Sequence, residues 1–137
     1  VPLSLPAWAH APGKIEYAKH EMAMIEGNSL IGLSTQFNSE VEKAIWEAAE
    51  KYGVDYQEMY DLAWCESRLN IEAKGDSGKA YGLYQWHLDS WKSYAGLFQK
   101  ESGTYLQRGL WQDQVEMTAW VISRGETENW RNCYLKI

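Results

Sequence analysis

The sequence predicts an α+β fold, mainly α-helical, with a small β-hairpin or sheet flanking a cleft. Three observations carry that prediction. Apolar residues recur at helical spacing in several capped stretches of the 137-residue chain. One polar, glycine-containing stretch, residues 70–80, interrupts them and suits a turn or short hairpin. A hydrophobic share of 45% is enough for one compact domain that buries about two-thirds of its unfolded surface.

Along the chain, residues 1–13 hold all three prolines, Pro2, Pro6 and Pro12, and are expected to form an extended arm. Residues 14–26 are expected to be a helix with Ile15, Ala18, Met22 and Ile25 on one side, stopped by Gly27 and Asn28. Residues 28–37 read as a loop. The division expected is therefore an N-terminal arm and accessory helix over 1–37 and the main domain over 38–137.

The main domain opens with a capping box, Ser39 and Glu42, before a stripe of Val41, Ala44, Ile45, Ala48, Ala49 and Tyr52, and Gly53 is its stop. Asp55 and Glu58 repeat the box for a second helix carrying Met59, Leu62, Ala63 and Glu66. After the polar stretch, Asp89 and Ser90 are expected to cap a helix with Trp91, Tyr94, Ala95 and Phe98. A last helix near 112–124, started by Asp113, is apolar on nearly all sides through Val115, Met117, Ala119, Trp120, Val121 and Ile122. Such a helix belongs at the centre of the core, and Gly125 ends it.

Composition excludes several functions. A net charge of −6 and the lack of a Lys/Arg run leave little attraction for nucleic-acid phosphates. Every apolar stretch is broken well short of a membrane span, and no signal-like segment opens the chain, so a soluble protein is expected, with any leader already removed. His10, His20 and His87 stand alone without metal-ligand spacing, so no metal or other cofactor is expected. The run Gly27-Asn28-Ser29-Leu30-Ile31-Gly32 misses the serine-hydrolase elbow by one residue.

The residue with the clearest chemical promise is Glu66. Met59, Leu62, Ala63 and Glu66 fall at i, i+3, i+4 and i+7, so a helix face presents three apolar side chains and then a carboxyl group. Desolvation there raises the pKa, and a carboxylic acid still protonated near neutral pH can donate to a leaving oxygen. Eight Trp and nine Tyr against two Phe add flat faces with polar tips, suited to sugar rings. Several of Tyr84, Trp86, Trp91, Trp111 and Trp130 are expected to line a groove, with core packing accounting for most other aromatics. The two cysteines, Cys65 and Cys133, would tie the chain end to the Glu66 helix if bonded, a constraint worth roughly 4 kcal/mol. The bond is the favoured reading and implies an oxidising compartment. Two buried free thiols in a cytosolic protein are the alternative that spacing leaves open.

Glu66-Ser67, Asn70, the polar loop and Gly82-Leu83-Tyr84-Gln85, taken in order, resemble the lysozyme superfamily, in particular soluble lytic transglycosylase-like and goose-type lysozyme-like domains. The resemblance covers roughly residues 38–134. It implies a lysozyme-like fold, with Gly82 to Gln85 as a strand across the cleft from the acid. It also implies that Glu66 is a single acid and base cutting the β-1,4 bond between N-acetylmuramic acid and N-acetylglucosamine in peptidoglycan. Substrate-holding positions would be Ser77, Tyr81, Gly82, Leu83, Tyr84, Gln85, Trp86 and His87. The implied partner is the peptidoglycan glycan strand, met by a monomer in an extracytoplasmic place: periplasmic, secreted or virion-associated. Trp130-Arg131-Asn132-Cys133 is similar to the Trp and Cys pattern of other lysozyme-like domains and agrees with a Cys65–Cys133 bond.

The chain departs from the family pattern at four places. Ile71 stands where proline is usual after the Asn, and the Ala-Tyr-Asn-x-Gly motif near the end is absent, which leaves Tyr134 as the counterpart of its tyrosine. Ala80 stands where animal-type lysozymes place an Asp before the Tyr-Gly, which favours transglycosylase chemistry over two-carboxylate hydrolysis. The family's cleft serine is matched only by Ser77, in a loop of different length. Asp76 faces the cleft from that loop and is either a water-positioning carboxylate or a turn-former. The rival functions are a muramidase hydrolysing the same bond, cleavage of another N-acetylglucosamine polymer, and a non-catalytic module binding glycan or protein.

Overall fold

A computed structural model provides the structure, and it describes residues 39–137. The arm, accessory helix and loop expected before Ser39 lie outside the described residues.

Both capping boxes form as the sequence requires. The Ser39 hydroxyl accepts from the Glu42 N–H at 3.1 Å and starts α1, Glu40–Tyr52. Gly53 takes the left-handed conformation that ends it. Asp55 accepts from the Glu58 N–H at 2.9 Å and starts α2, Tyr56–Ser67. Met59, Leu62 and Ala63 on α2 are fully buried, as the spacing predicts.

Residues 70–87 fold into a three-stranded antiparallel sheet of two-residue strands in the order β1, β2, β3. The strands are β1, Lys74–Gly75, β2, Ala80–Tyr81, and β3, Trp86–His87. Lys74 pairs with Tyr81, and Ala80 pairs with His87. A 3-10 turn, Asp76–Gly78, links β1 to β2. The Gly82 to Gln85 segment, expected as a strand, is instead the turn between β2 and β3. Gly82 at φ 86° and Gln85 at φ 51° both lie in the left-handed region, which a strand does not admit.

Helix α3, Leu88–Ser102, follows β3 without a loop. The expected cap at Asp89 and Ser90 is therefore corrected: His87 holds the cap position without a side-chain bond, and Asp89 lies inside the first turn. Helix α4, Trp111–Ser123, is the central element. Val115, Met117, Ala119 and Val121 are almost fully buried, and α4 packs on both α1 and α3. Its expected starter, Asp113, sits inside the first turn and accepts from the Gln107 N–H of the preceding loop. A 3-10 turn, Glu128–Trp130, and the short α5, Arg131–Tyr134, close the domain against α2.

Among the buried side chains that bind the turn after β2 to this frame is Gln114 of α4. Its Oε1 accepts from the Tyr84 N–H at 3.1 Å, and its Nε2 donates to the Tyr81 and Arg108 carbonyls at 2.9 Å each. A Cβ at Gly82 would collide with that amide, so the positive φ and the close approach both demand glycine. Replacing Gln114 by Leu keeps the volume but strands buried donors and acceptors. Gln114→Leu is expected to lower unfolding free energy by about 3 kcal/mol, measured by urea titration.

Candidate active site

Glu66 stands on the last turn of α2, one residue before Ser67. The Ser67 hydroxyl is buried and bonds the Leu83 carbonyl at 2.7 Å, so the helix end and the β2–β3 turn are joined directly behind the carboxyl group. Glu66 faces an open cleft of about 500 Å³. Ala80, Asp76, Gln85 and His87 form the sheet side, and Glu128, Asn129, Arg131 and Asn132 form the opposite side, with Trp130 and Cys133 beneath.

Burial pushes the Glu66 carboxyl up from 4.5 to about 7, and the Lys136 ammonium opposes part of that rise. Near neutral pH the side chain thus exists in both forms. The protonated form donates and the ionised form accepts, which is what a group acting first as acid and then as base requires.

Gln85 is aimed by its own backbone. Its Nε2 donates to the Ala73 and Gly82 carbonyls at 3.0 and 2.9 Å, and Gly75 leaves room for its amide oxygen, where a Cβ would collide. Across the sheet the His87 Nε2 lies 3.1 Å from the Asp76 Oδ2. Asp76 and Ser77 both sit at positive φ, 53° and 58°, an unusual strain for two consecutive non-glycine residues.

Of the sequence-predicted holding positions, the structure brings Gln85 and His87 to the cleft beside Glu66. The others are placed elsewhere. Leu83, Tyr84 and Trp86 are buried in the core, where Tyr84 reaches α2 and Trp86 packs against α3 and α4. The Tyr84 hydroxyl donates to the Met59 carbonyl, and the Trp86 indole to the Thr118 hydroxyl, at 3.0 Å each. Their main-chain groups are also engaged: the Tyr84 carbonyl accepts from the Trp130 indole at 2.9 Å, and the Gly82 N–H donates to Ala73 at 2.8 Å. Tyr81 stacks under Arg108, 5.9 Å from its ring, and Ser77 is exposed outside the cleft lining.

The aromatic expectation is corrected in the same way. Trp86 meets Trp91 and Trp130 edge-to-face at 5.2 and 5.1 Å, so these rings and Tyr84 build the core. Trp130 alone touches the cleft, from beneath and only 2% exposed, while Trp111 is half-buried against the core. Tyr134 is also outside the cleft lining, and its carboxyl neighbour is Glu58.

What sequence reasoning missed, Trp130 apart, is the far side of the cleft, Glu128 to Asn132. A signal existed. Cys65 and Cys133 are joined, with Cα atoms 5.9 Å apart, so the residues just before Cys133 must lie near the neighbour of Cys65, which is Glu66. Among the described residues no group of three or more His, Cys, Asp or Glu is placed to hold a metal ion, and no helix is long and apolar enough to cross a membrane.

A helical frame, a three-stranded sheet and a half-buried carboxyl at a helix end facing that sheet define a lysozyme-like domain. The family model described as Transglycosylase SLT domain matches residues 43–112, half of the chain, and the protein belongs to that family. The match runs from α1 through the sheet to the start of α4, and so includes Glu66, Gln85 and His87 but not α5. Members of the family are lytic transglycosylases, and membership supports peptidoglycan-cleaving activity of that general type. No curated protein and no solved structure matches the chain.

The raised Glu66 pKa couples to stability. Between pH 4.5 and 7 the unfolded chain releases a proton that the folded chain retains, so stability falls as pH rises through that window. Glu66→Gln removes this dependence. Relative to wild type, it is expected to gain about 2 kcal/mol between pH 4 and pH 8, with partial solvent screening allowed for, read from urea titrations at both pH values.

Proposed function

We propose that residues 38–137 form a catalytic domain that cuts the β-1,4 bond between N-acetylmuramic acid and N-acetylglucosamine in peptidoglycan, with Glu66 as its single acid and base. The placement of Glu66 carries this reading: a carboxyl with a pKa near 7, on the family's fold, opening onto a polar cleft. A non-catalytic binding module has no use for such a desolvated acid.

In the first step Glu66 gives its proton to the glycosidic oxygen as the bond to the anomeric carbon breaks. In the second, the Glu66 carboxylate takes the proton of the muramic 6-hydroxyl while that oxygen bonds the anomeric carbon. A 1,6-anhydro end forms and no water is consumed. Gln85, fixed by its two carbonyl partners, holds the strand on the sheet side. The Cys65–Cys133 bond fits an oxidising, extracytoplasmic setting, where peptidoglycan is found.

Glu66→Gln is expected to lower cleavage of purified peptidoglycan at least about a thousandfold while circular dichroism stays native, since no second acid replaces it. Wild-type turnover in that variant would sink the assignment. Because the protonated form starts the reaction, wild-type kcat/KM should fall about tenfold per pH unit above about pH 7.

One observation favours a hydrolytic reading of the same site: the Asp76–His87 pair in the cleft. With Oδ2 facing the imidazole, Oδ1 of Asp76 is left to accept a proton from an attacking water, the task of a second carboxylate. Mass analysis of released muropeptides separates the two readings. Anhydro ends throughout, unaffected by Asp76→Asn, belong to the transglycosylase; reducing ends that Asp76→Asn removes belong to the hydrolase.

A further inference from the structure

The chain has four arginines, and three of them are engaged by the fold. Arg68 lies over the Trp64 ring at 5.3 Å. Arg108 donates to the Trp86 carbonyl at 2.8 Å and lies over Tyr81. Arg124 pairs with Glu101 and Glu126 and covers Trp120 at 4.8 Å. Arg131 is different. Its guanidinium has no hydrogen-bond, ion-pair or ring partner among the described residues, although Glu128 stands three positions before it.

Arg131 is also the one Lys or Arg among the described residues lining the Glu66 cleft, Lys136 standing outside that lining although its charge reaches Glu66. It is carried on the segment that the Cys65–Cys133 bond fixes against the Glu66 helix, so its main chain cannot drift from the cleft. The electrostatic setting gives that lone cation a purpose. A chain of net charge −6 repels a polyanion at long range, and Asp76 and Glu128 line the same cleft. An anionic strand needs a fixed positive group where it binds, and an unengaged guanidinium offers a planar fork that matches a carboxylate.

We propose that Arg131 is a specificity residue that binds a carboxylate of the substrate, so that the cleft selects glycan strands bearing carboxylates over neutral N-acetylglucosamine polymers. The inference rests on the reading of Glu66 as the cutting acid. Peptidoglycan offers the same chemistry from two sources: the carboxylates of the stem peptide on intact strands, and the lactyl carboxylate of the muramic sugar that an amidase frees when it removes the stem. Both present a planar anion beside the strand, and either engages the fork.

The test compares kcat/KM of wild type, Arg131→Gln and Arg131→Lys on intact strands, on strands stripped of stems by an amidase, and on each after carbodiimide amidation of its carboxylates. Wild type is expected to prefer unmodified over amidated strands by about tenfold or more, Arg131→Gln to lose that preference, and Arg131→Lys to keep part of it. A preference on intact strands assigns the stem carboxylates, and a preference on stripped strands assigns the lactyl carboxylate that the amidase has freed; either supports the proposal. An unaltered preference in Arg131→Gln overturns it, as does a wild type indifferent to amidation.

Cosedimentation of Glu66→Gln, with and without Arg131→Gln, on the same strands gives a readout independent of turnover. If wild type cleaves nothing, the proposed function fails, while Arg131-dependent binding of unmodified strands still upholds carboxylate recognition. Equal binding by the two variants overturns it.

Discussion

The β2–β3 turn can exist only because its polar main chain is satisfied at once from two helices and from the 3-10 turn ahead of α5. Gln114 of α4 holds the Tyr81 carbonyl and the Tyr84 N–H, Ser67 of α2 holds the Leu83 carbonyl, and Trp130, just ahead of α5, holds the Tyr84 carbonyl. Each is a bond between a buried side chain and main chain that would otherwise be stranded away from water. Because the partners come from different elements, the turn fixes those elements relative to one another as much as they fix it. Gln85 and His87 emerge from this turn and its outgoing strand, and Glu66 precedes Ser67. The cleft geometry is thus a consequence of how a few main-chain groups are satisfied.

That arrangement also accounts for the electrostatic state of Glu66. The carboxyl sits where α2 passes from the apolar core to the polar cleft, so it loses part of its solvation without gaining a close cationic partner that would hold it ionised. Lys136 acts on it, but burial dominates. A salt bridge there would have lowered the pKa and removed the proton that glycan cleavage needs. The disulfide supplies the complementary constraint on the other side. A four-residue helix has little stability of its own, and the covalent link keeps the Glu128 to Asn132 side of the cleft opposite the sheet.

The elements legible in the sequence were those set by local chemistry. Ser39 with Glu42 and Asp55 with Glu58 announced two helices, the all-round apolar run of 115–122 announced a central one, and the polar loop announced the small sheet. The SLT resemblance rested on short local motifs, and the family match bears it out. Misreadings arose where the deciding contact is distant in sequence. Gly82 to Gln85 was expected as a strand because nothing local reveals that Gln114, thirty residues on from Tyr84, claims the space of a Cβ at Gly82. Tyr84, Trp86 and Trp91 were expected at a groove because an aromatic with a polar tip suits a sugar face and a core equally well. Their hydroxyl and indole partners, Met59, Thr118 and Leu106, settle the matter only in three dimensions.

Composition, caps and periodicity were enough to establish a mainly helical α+β domain and the position of one carboxyl group at the end of an apolar stripe, while the resemblance of a few short motifs pointed to its family. These depend on residues a few positions apart, where the chain has little freedom. Which residues face Glu66 depended on folding. The far side of the cleft, the Asp76–His87 pair and the unpartnered Arg131 come together through the antiparallel register and the 65–133 link, and such long-range closure leaves no periodic trace in the chain. Glu66 itself spans both levels: its spacing placed it on the apolar face, but only the packing around it holds its proton near neutral pH.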